Sequence, residues 1–438
     1  MQGVIKEAIL KIEEISMHKP LRIISHFDTD GITSAAIFSR ALQRWEKPFT
    51  LEIVKNINKE YLDALPEDHL LIFLDLASGS LNYLANKKTE VIILDHHEIV
   101  QDIPKNVTMI NPQLQKTENC SSAAICYLFA RELSEKNKDL ANLAILGMVG
   151  DQMEKNLNKT YDNIMKDADT IIRKGLLLYP ATRPLDKVLE YSSSLYIPDV
   201  TGSFKGVVEL LREAGIEKTQ KGYKSLVELS EEEMSNLTTA ILIRRKTKTE
   251  TSEIIGNIYL TKFFNNLEDA RELSAMINAC SRMGVSESAL GFCLGNKAAK
   301  KDAEKTYLKY RQAISAALKS VSDIEKINGK NYTIINAKDR IKDTIIGTVA
   351  SIISFSPLYP KGTIIIAMAY DNDKIKVSAR LTGKEGRNVR EILSQAVIPV
   401  SGEVGGHPNA AGAIIPIAKE QEFIQELQNK LDLDLIKI

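Results

Sequence analysis

The chain contains no apolar run approaching the roughly 20 residues that a membrane-spanning helix needs. Net charge is absent too, since 57 Lys and Arg balance 57 Asp and Glu. The molecule as a whole therefore carries no nucleic-acid-binding signature, and any polyanion has to be held by a local stripe. Cysteine is scarce. Cys120, Cys126, Cys280 and Cys293 form no CxxC pair and have no His partner at zinc-finger spacing. No disulfide framework or finger-type zinc site is expected, and reduced thiols fit a cytoplasmic protein. The first fifteen residues read as an amphipathic helix carrying Glu7, Glu13 and Glu14, without a signal-peptide cleavage pattern. No membrane partner is expected. Internal repeats and low-complexity tracts are also missing.

What is present is an ordinary globular composition, 44% hydrophobic and 26% charged over 438 residues, enough for two or three domains. Within it, four apolar segments each end in carboxylate or histidine. Leu21–Ile24 leads to His26-Phe27-Asp28-Thr29-Asp30-Gly31. Leu70–Leu74 ends at Asp75. Val91–Leu94 runs into Asp95-His96-His97, and Leu146–Gly150 into Asp151. Ionisable groups clustered at the ends of buried strands are costly unless something neutralises them. Divalent metal does so, because imidazole and carboxylate are both ligands.

Short apolar runs alternate with helical patterns over the first ~155 residues. Strands are expected at 21–26, 51–55, 70–75, 91–95 and 107–111, and helices at 32–45, 80–87, 121–136 and 138–148. That alternation implies a mostly parallel sheet covered on both faces, with ligands outside the carboxyl ends of the strands. Residues 156–250 read as mainly helical, apart from an ambiguous Ser194–Ile197. From about 253 strands resume at Ile254–Leu260, Tyr332–Ile335, Gly362–Met368 and Lys374–Leu381. The expected fold class is α/β: a parallel-sheet catalytic domain (1–200), a helical connector (201–252) and a smaller mixed α/β domain (253–438).

His26, Asp28 and Asp30 alternate, so on an extended chain they face one way, and Gly31 permits the turn into a helix. Asp75 is placed to bridge two cations. With His96 and Asp151 these make six N/O ligands, and His97 is adjacent. Six or seven are too many for one tetrahedral zinc and suit two ions about 3.5–4 Å apart. The His/carboxylate mixture favours Mn over Mg, although Mg can serve. Such a pair of divalent metal ions often hydrolyses phosphate esters.

A second group lies near the C-terminus, Gly405-Gly406-His407-Pro408-Asn409-Ala410-Ala411-Gly412. Its small residues expose backbone N–H groups that can cradle an anion, and His407 adds a donor. Arg380, in Ser378-Ala379-Arg380, and Arg282, at the end of a helix, are candidate phosphate clamps. The basic runs Arg244-Arg245-Lys246 with Lys248, and Lys297 with Lys300-Lys301, read as solvated faces.

The ordered set HxDxDG (26–31), Asp75, DHH (95–97) and Asp151 resembles the DHH phosphoesterase superfamily, and GGHxxAAG (405–412) its DHH-associated C-terminal domain. Within the superfamily the chain is most similar to archaeal RecJ-like exonucleases. The resemblance implies metal ligation by His26, Asp28, Asp30, Asp75, His96 and Asp151, with catalytic roles for Asp75 and His97. His97 would lie beside the metals or contact the scissile phosphate. It implies substrate binding by Arg282, Ser378, Arg380, Gly405, Gly406 and His407. The activity implied is Mn-dependent hydrolysis of single-stranded DNA or RNA, with the GINS complex and the replicative helicase as partners. Bacterial RecJ proteins differ in having Asp where His26 stands and an added OB-fold module. Three other activities occur in the superfamily: cleavage of very short RNAs, pAp or cyclic dinucleotides; a structural role at the replication fork; and pyrophosphate hydrolysis, against which the GGHxxAAG run speaks.

Overall fold

A computed structural model describes the chain except residues 156, 193, 194, 196, 246–253, 357, 384, 385 and 435–438. Contacts divide it into two units, Met1–Tyr307 and Leu308–Ile438.

In the first unit, β1 (Leu21–His26), β2 (Phe49–Val54), β3 (Leu70–Leu74), β4 (Val91–Leu94) and β5 (Val107–Ile110) form a parallel sheet in the order β2-β1-β3-β4-β5. Every residue of β3 and β4 is buried, as central parallel strands covered on both faces require. Alternation of side chains sorts the strands onto two cores. Ile23, Leu70, Ile72 and Ile92 pack with α1 (Gln2–Ile15), α2 (Thr29–Arg44), α5 (Ser122–Leu133) and α6 (Ala141–Gly150). Ile24, Leu71, Phe73 and Ile93 pack on the other face with Leu62 of α3 (Lys59–Ala64) and with Leu81 and Leu84 of α4 (Leu81–Leu84). Helix α6 is apolar nearly all round and is buried accordingly.

The strand order reverses direction at β1, which lies between β2 and β3. A crevice at the carboxyl ends of β1 and β3 is the expected ligand position in such a sheet. His26 ends β1 and Asp75 follows β3 directly.

The stretch 156–250 holds the expected helices, α7 (Lys159–Asp167), α8 (Leu185–Glu190), α9 (Phe204–Glu213) and α10 (Glu231–Arg245). It also holds a strand that the sequence did not reveal, β6 (Ile171–Leu176). β6 pairs antiparallel with β7 (Ile255–Phe263), and β7 with β8 (Asn266–Asp269). The first four residues of β6 are exposed, so neither alternation nor an apolar run marks it. Ser194 and Tyr196 of the ambiguous Ser194–Ile197, and Lys246 and Lys248, lie outside the described residues.

The expected division at 252/253 and the division by contacts differ. β7, β8, α11 (Ala270–Arg282) and α12 (Ser286–Cys293) belong to the first unit, where Leu273, Met276, Ile277 and Cys280 of α11 join the core that contains α6. The boundary falls within α13 (Lys297–Ser322).

The second unit is a mixed sheet ordered β13-β14-β12-β11-β10-β9. Its strands are β9 (Lys326–Gly329), β10 (Tyr332–Asn336), β11 (Ile364–Asp371), β12 (Lys374–Leu381), β13 (Glu403–His407) and β14 (Ala410–Pro416). Only the β10–β11 pairing is parallel. Helix α14 (Asp343–Ser354) packs on β11 and β12, while α15 (Val389–Val397) and α16 (Glu420–Asp434) pack on β14. All four cysteines are free and buried. Among the described residues no helix is long and apolar enough to cross a membrane.

Candidate metal centre

The His26–Gly31 segment reaches the site by a route other than simple alternation. The chain is already helical at Thr29, and Asp28 is the N-cap of α2. Asp28 Oδ1 accepts from Gly31 N at 3.0 Å, which leaves Oδ2 to lie 3.0 Å from His26 Nδ1. Gly31 is needed for space, because a Cβ there would sit 2.2 Å from the His26 carbonyl oxygen. Asp30 lies in the first turn of α2, fully buried. Its two oxygens accept from the N–H groups of Ser122 (2.7 Å) and Ala123 (3.0 Å) at the start of α5. Unpaired amides and the helix dipole both favour a carboxylate at that place. His26 and Asp28 therefore serve one side of the centre and Asp30 the other.

Asp75 joins the two sides. Its backbone turns through φ +59°, a left-handed conformation that Asp, like Asn, adopts more readily than most residues, directly after β3. Oδ2 lies 3.3 Å from His26 Nδ1, and Oδ1 lies 3.5 Å from His96 Nε2 while accepting from Ser122 Oγ at 2.9 Å. His96 Nε2 is also 2.9 Å from Asp151 Oδ2 and 3.8 Å from Asp30 Oδ2. Among the described residues three candidate groups result: Asp75/Asp95/His96/His97, and two that hold the expected ligands, His26/Asp28/Asp75 and Asp30/His96/Asp151. All six expected ligands fall in one or the other, and Asp75 reaches both.

Asp95 is buried and its carboxylate is saturated by donors: Ser78 N and Oγ, His96 N, and His97 Nδ1 at 2.7 Å. It sets the His97 ring so that Nε2 faces away from Asp95. The His97 side chain is half exposed.

The donor set fits divalent metal. His96 Nε2 is buried, surrounded by three carboxylates, yet makes no aligned hydrogen bond. Without a cation, protons have to balance the charge. Burial pushes the His96 imidazole down, but Asp151, Asp75 and Asp30 outweigh it and push it up to about 12. Burial opposes protonation of His26 as well, and Asp28 with Asp75 holds it well above the usual range. Asp30 is raised well above the carboxylate range by burial and by Asp151 and Asp75. Burial works against ionisation of Asp75, but the hydrogen bond with His26 and the neighbouring His96 imidazole prevail and hold it well below that range.

A pH dependence follows. The raised imidazoles stabilise the metal-free fold fully below the ordinary histidine value of 6.5, and that contribution is lost as pH rises toward about 12 for His96. Metal has to displace those protons, so its binding tightens as pH rises. The Mn²⁺-induced increase in unfolding temperature is expected to be larger at about pH 8 than at about pH 6, with protons released to the buffer in calorimetry. Equal increases at both pH values would contradict imidazole ligation.

The expected substrate residues divide between the units. Arg282 ends α11 in the first. The others lie in the second, where sheet register aligns them in two rows: Ser378, Gly412 and Gly405 in one, Arg380, Ala410 and His407 in the other. The glycine-rich run forms two antiparallel strands instead of a loop that wraps an anion, with β13 at the sheet edge. An edge still presents backbone donors on one side. Arg380 is held by Ser351 Oγ (2.9 Å) and the carbonyls of Ala379 and Ala411, and His407 is exposed. Ser122, Asp95, Asn278 and Gly147, which shape the centre, were missed as site residues. Asp95, inside the DHH triplet, and Gly147, in the Gly-Met-Val-Gly run before Asp151 that permits close backbone approach, carried a sequence signal of their own.

Residues 20–148 match the DHH family, N-terminal domain, residues 178–257 the DHH-CID domain and residues 329–432 the DHHA1 domain. The chain belongs to the DHH superfamily. An uncharacterized protein of Methanocaldococcus jannaschii is 28% identical to this DHH chain over 427 residues, covering 93% of it and 92% of the relative. A solved structure of exonuclease RecJ bound to manganese is similar in fold, with TM-score 0.61, 17% identity, and coverage of 97% of this chain and 93% of that one. CDC45 from Entamoeba histolytica is similar too, with TM-score 0.66, 12% identity and coverage of 98% of each chain. The RecJ-like fold thus extends through both units. Members of the superfamily are metal-dependent phosphoesterases.

Proposed function

We propose that this DHH protein is an exonuclease on single-stranded DNA, RNA or both, using two divalent ions with Mn²⁺ preferred. The observation that carries the reading is the division of Asp75: one carboxylate oxygen faces His26, the other His96. His26, Asp28 and Asp75 would hold one ion, and Asp30, His96, Asp151 and Asp75 the second. Bound there, such a pair supplies charge neutralisation at phosphorus and lowers the pKa of water.

The protein's own groups supply the rest. Asp95 fixes the His97 tautomer by accepting from Nδ1, which leaves Nε2 to meet a phosphate oxygen. In the metal-free protein that hydrogen bond also holds the His97 imidazole above its ordinary value, despite burial. Arg282, and in the second unit Ser378, Arg380, Gly405, Gly406 and His407, are the proposed grips on the nucleic-acid backbone, through guanidinium, hydroxyl, imidazole and edge-strand amides. Partnership with a GINS complex and the replicative helicase is carried over from the motif resemblance to archaeal RecJ-like proteins. The intact ligand set argues against a purely structural role.

The test is a time course with Mn²⁺ on 5′-labelled and 3′-labelled single-stranded DNA and RNA twenty-mers. Stepwise loss from one end is expected, which fixes polarity and sugar preference together. Intact twenty-mers alongside cleaved dinucleotides would replace the exonuclease reading with a small-substrate phosphodiesterase.

A further inference from the structure

Thr29 lies between Asp28 and Asp30, and helix α11 holds it at three points. Its backbone N–H donates to Asn278 Oδ1 at 3.1 Å. Its hydroxyl donates to the Ser274 carbonyl at 2.9 Å and meets the Ser274 hydroxyl at 3.3 Å. Thr29 is the first residue of α2, so its N–H is one of the donors that a helix cannot satisfy internally. Asp28, the cap, spends its Oδ1 on Gly31 N. Asn278 takes the Thr29 donor, and Asp28 Oδ2 is left directed at His26.

Ser274, Asn278 and Arg282 are spaced by four on α11 and so share one face. The face that grips the metal-bearing loop therefore carries the candidate phosphate clamp one turn further on. Asp28 and Asp30 belong to different ligand groups, and only the Thr29 residue separates them. Whatever fixes the Thr29 peptide fixes the offset between the two groups.

We infer that Asn278 is a positioning residue of the metal centre, setting the spacing of Asp28 from Asp30 through its hydrogen bond to Thr29 N. The inference rests on the metal-centre reading above. It adds a residue on a distant segment, with neither charge nor ligating role, on which ion binding depends. Groups that orient ligands from outside the ligand set typically govern metal affinity by about 10–100-fold.

Calorimetric titration of Mn²⁺ into the full-length wild type, Asn278→Ala and Asn278→Asp tests it, with metal-free unfolding temperatures measured alongside. Asn278→Ala loses the acceptor, and Mn²⁺ binding is expected to weaken about 10–100-fold. Asn278→Asp keeps an oxygen acceptor for Thr29 N–H and is expected to bind Mn²⁺ at least as tightly as wild type. Unchanged affinity in folded Asn278→Ala overturns the inference and leaves the metal reading standing. A folded Asn278→Asp protein with lost affinity also overturns it, whatever the alanine variant does. A wild type that takes up no Mn²⁺ overturns both.

Discussion

Asp75→Asn is expected to abolish hydrolysis in a protein that still folds. Asparagine is the right replacement because the backbone at this position has φ +59°. Asn tolerates that left-handed conformation, whereas a bulkier or branched residue adds strain of its own. The amide keeps the volume and one oxygen but removes the charge, and its NH₂ faces either His26 or His96 as a donor where an anion is needed. Both ligand groups lose their shared anion at once. A pair of ions contributes several kcal/mol of charge stabilisation, and each 1.4 kcal/mol is a factor of ten, so turnover should fall by at least about 10³-fold. Calorimetry should show the number of Mn²⁺ ions bound falling from two to at most one. Turnover near wild-type level in a folded Asp75→Asn protein would remove the bridging role and with it the two-ion reading.

The sequence led to the candidate ligand set because its segments each follow an apolar run, and parallel strands deliver their ends to one crevice. His26, Asp75 and His96 were legible on that ground. How they divide was less so. Asp28 and Asp30 looked like neighbours on an extended chain, but the helix starts at Thr29, and one turn of helix sends them to opposite groups. The conformation of Asp75 follows from the chain's path after β3, which no local pattern encodes. Asn278 acts from 249 residues away, through a contact that exists only once α11 packs against the first unit's core. β6 escaped because exposed Ile171, Ile172, Arg173 and Lys174 give no periodicity. The glycine-rich run at 405–412 carried no strand signal, because Gly and Ala are poor strand formers. Pairing of β14 with β12 on its other side makes a strand there nevertheless.

Gly147→Ala is expected to reduce stability and activity together. In an ordinary helix this change is favourable by about 1 kcal/mol. Here the new Cβ would lie 2.4 Å from Asp30 Oδ1, 2.5 Å from Ala123 Cβ and 2.9 Å from Thr33 Oγ1. None of the three gives way easily. Ala123 has no rotamer to change. Asp30 is tied by the N–H groups of Ser122 and Ala123, and Thr33 donates its hydroxyl to the Thr29 carbonyl at 2.8 Å. Either α6 moves away from α2 and α5, or Asp30 turns off its two amides. Overpacking of this kind costs about 1–3 kcal/mol, which outweighs the helix gain. A fall of a few degrees in the metal-free unfolding temperature is therefore expected. The second route displaces a ligand of the Asp30/His96/Asp151 group, and misplacement by about 1 Å can cost about 10²-fold in rate. Movement of α6 has a similar consequence, because Asp151 caps that helix and travels with it. Both routes thus converge on the same ligand group, so weakened Mn²⁺ binding should accompany the loss of rate. A Gly147→Ala protein that gains stability and keeps full activity would show that α6 can shift without moving Asp151, and that the close approach of α6 to Asp30 is not what holds this half of the centre.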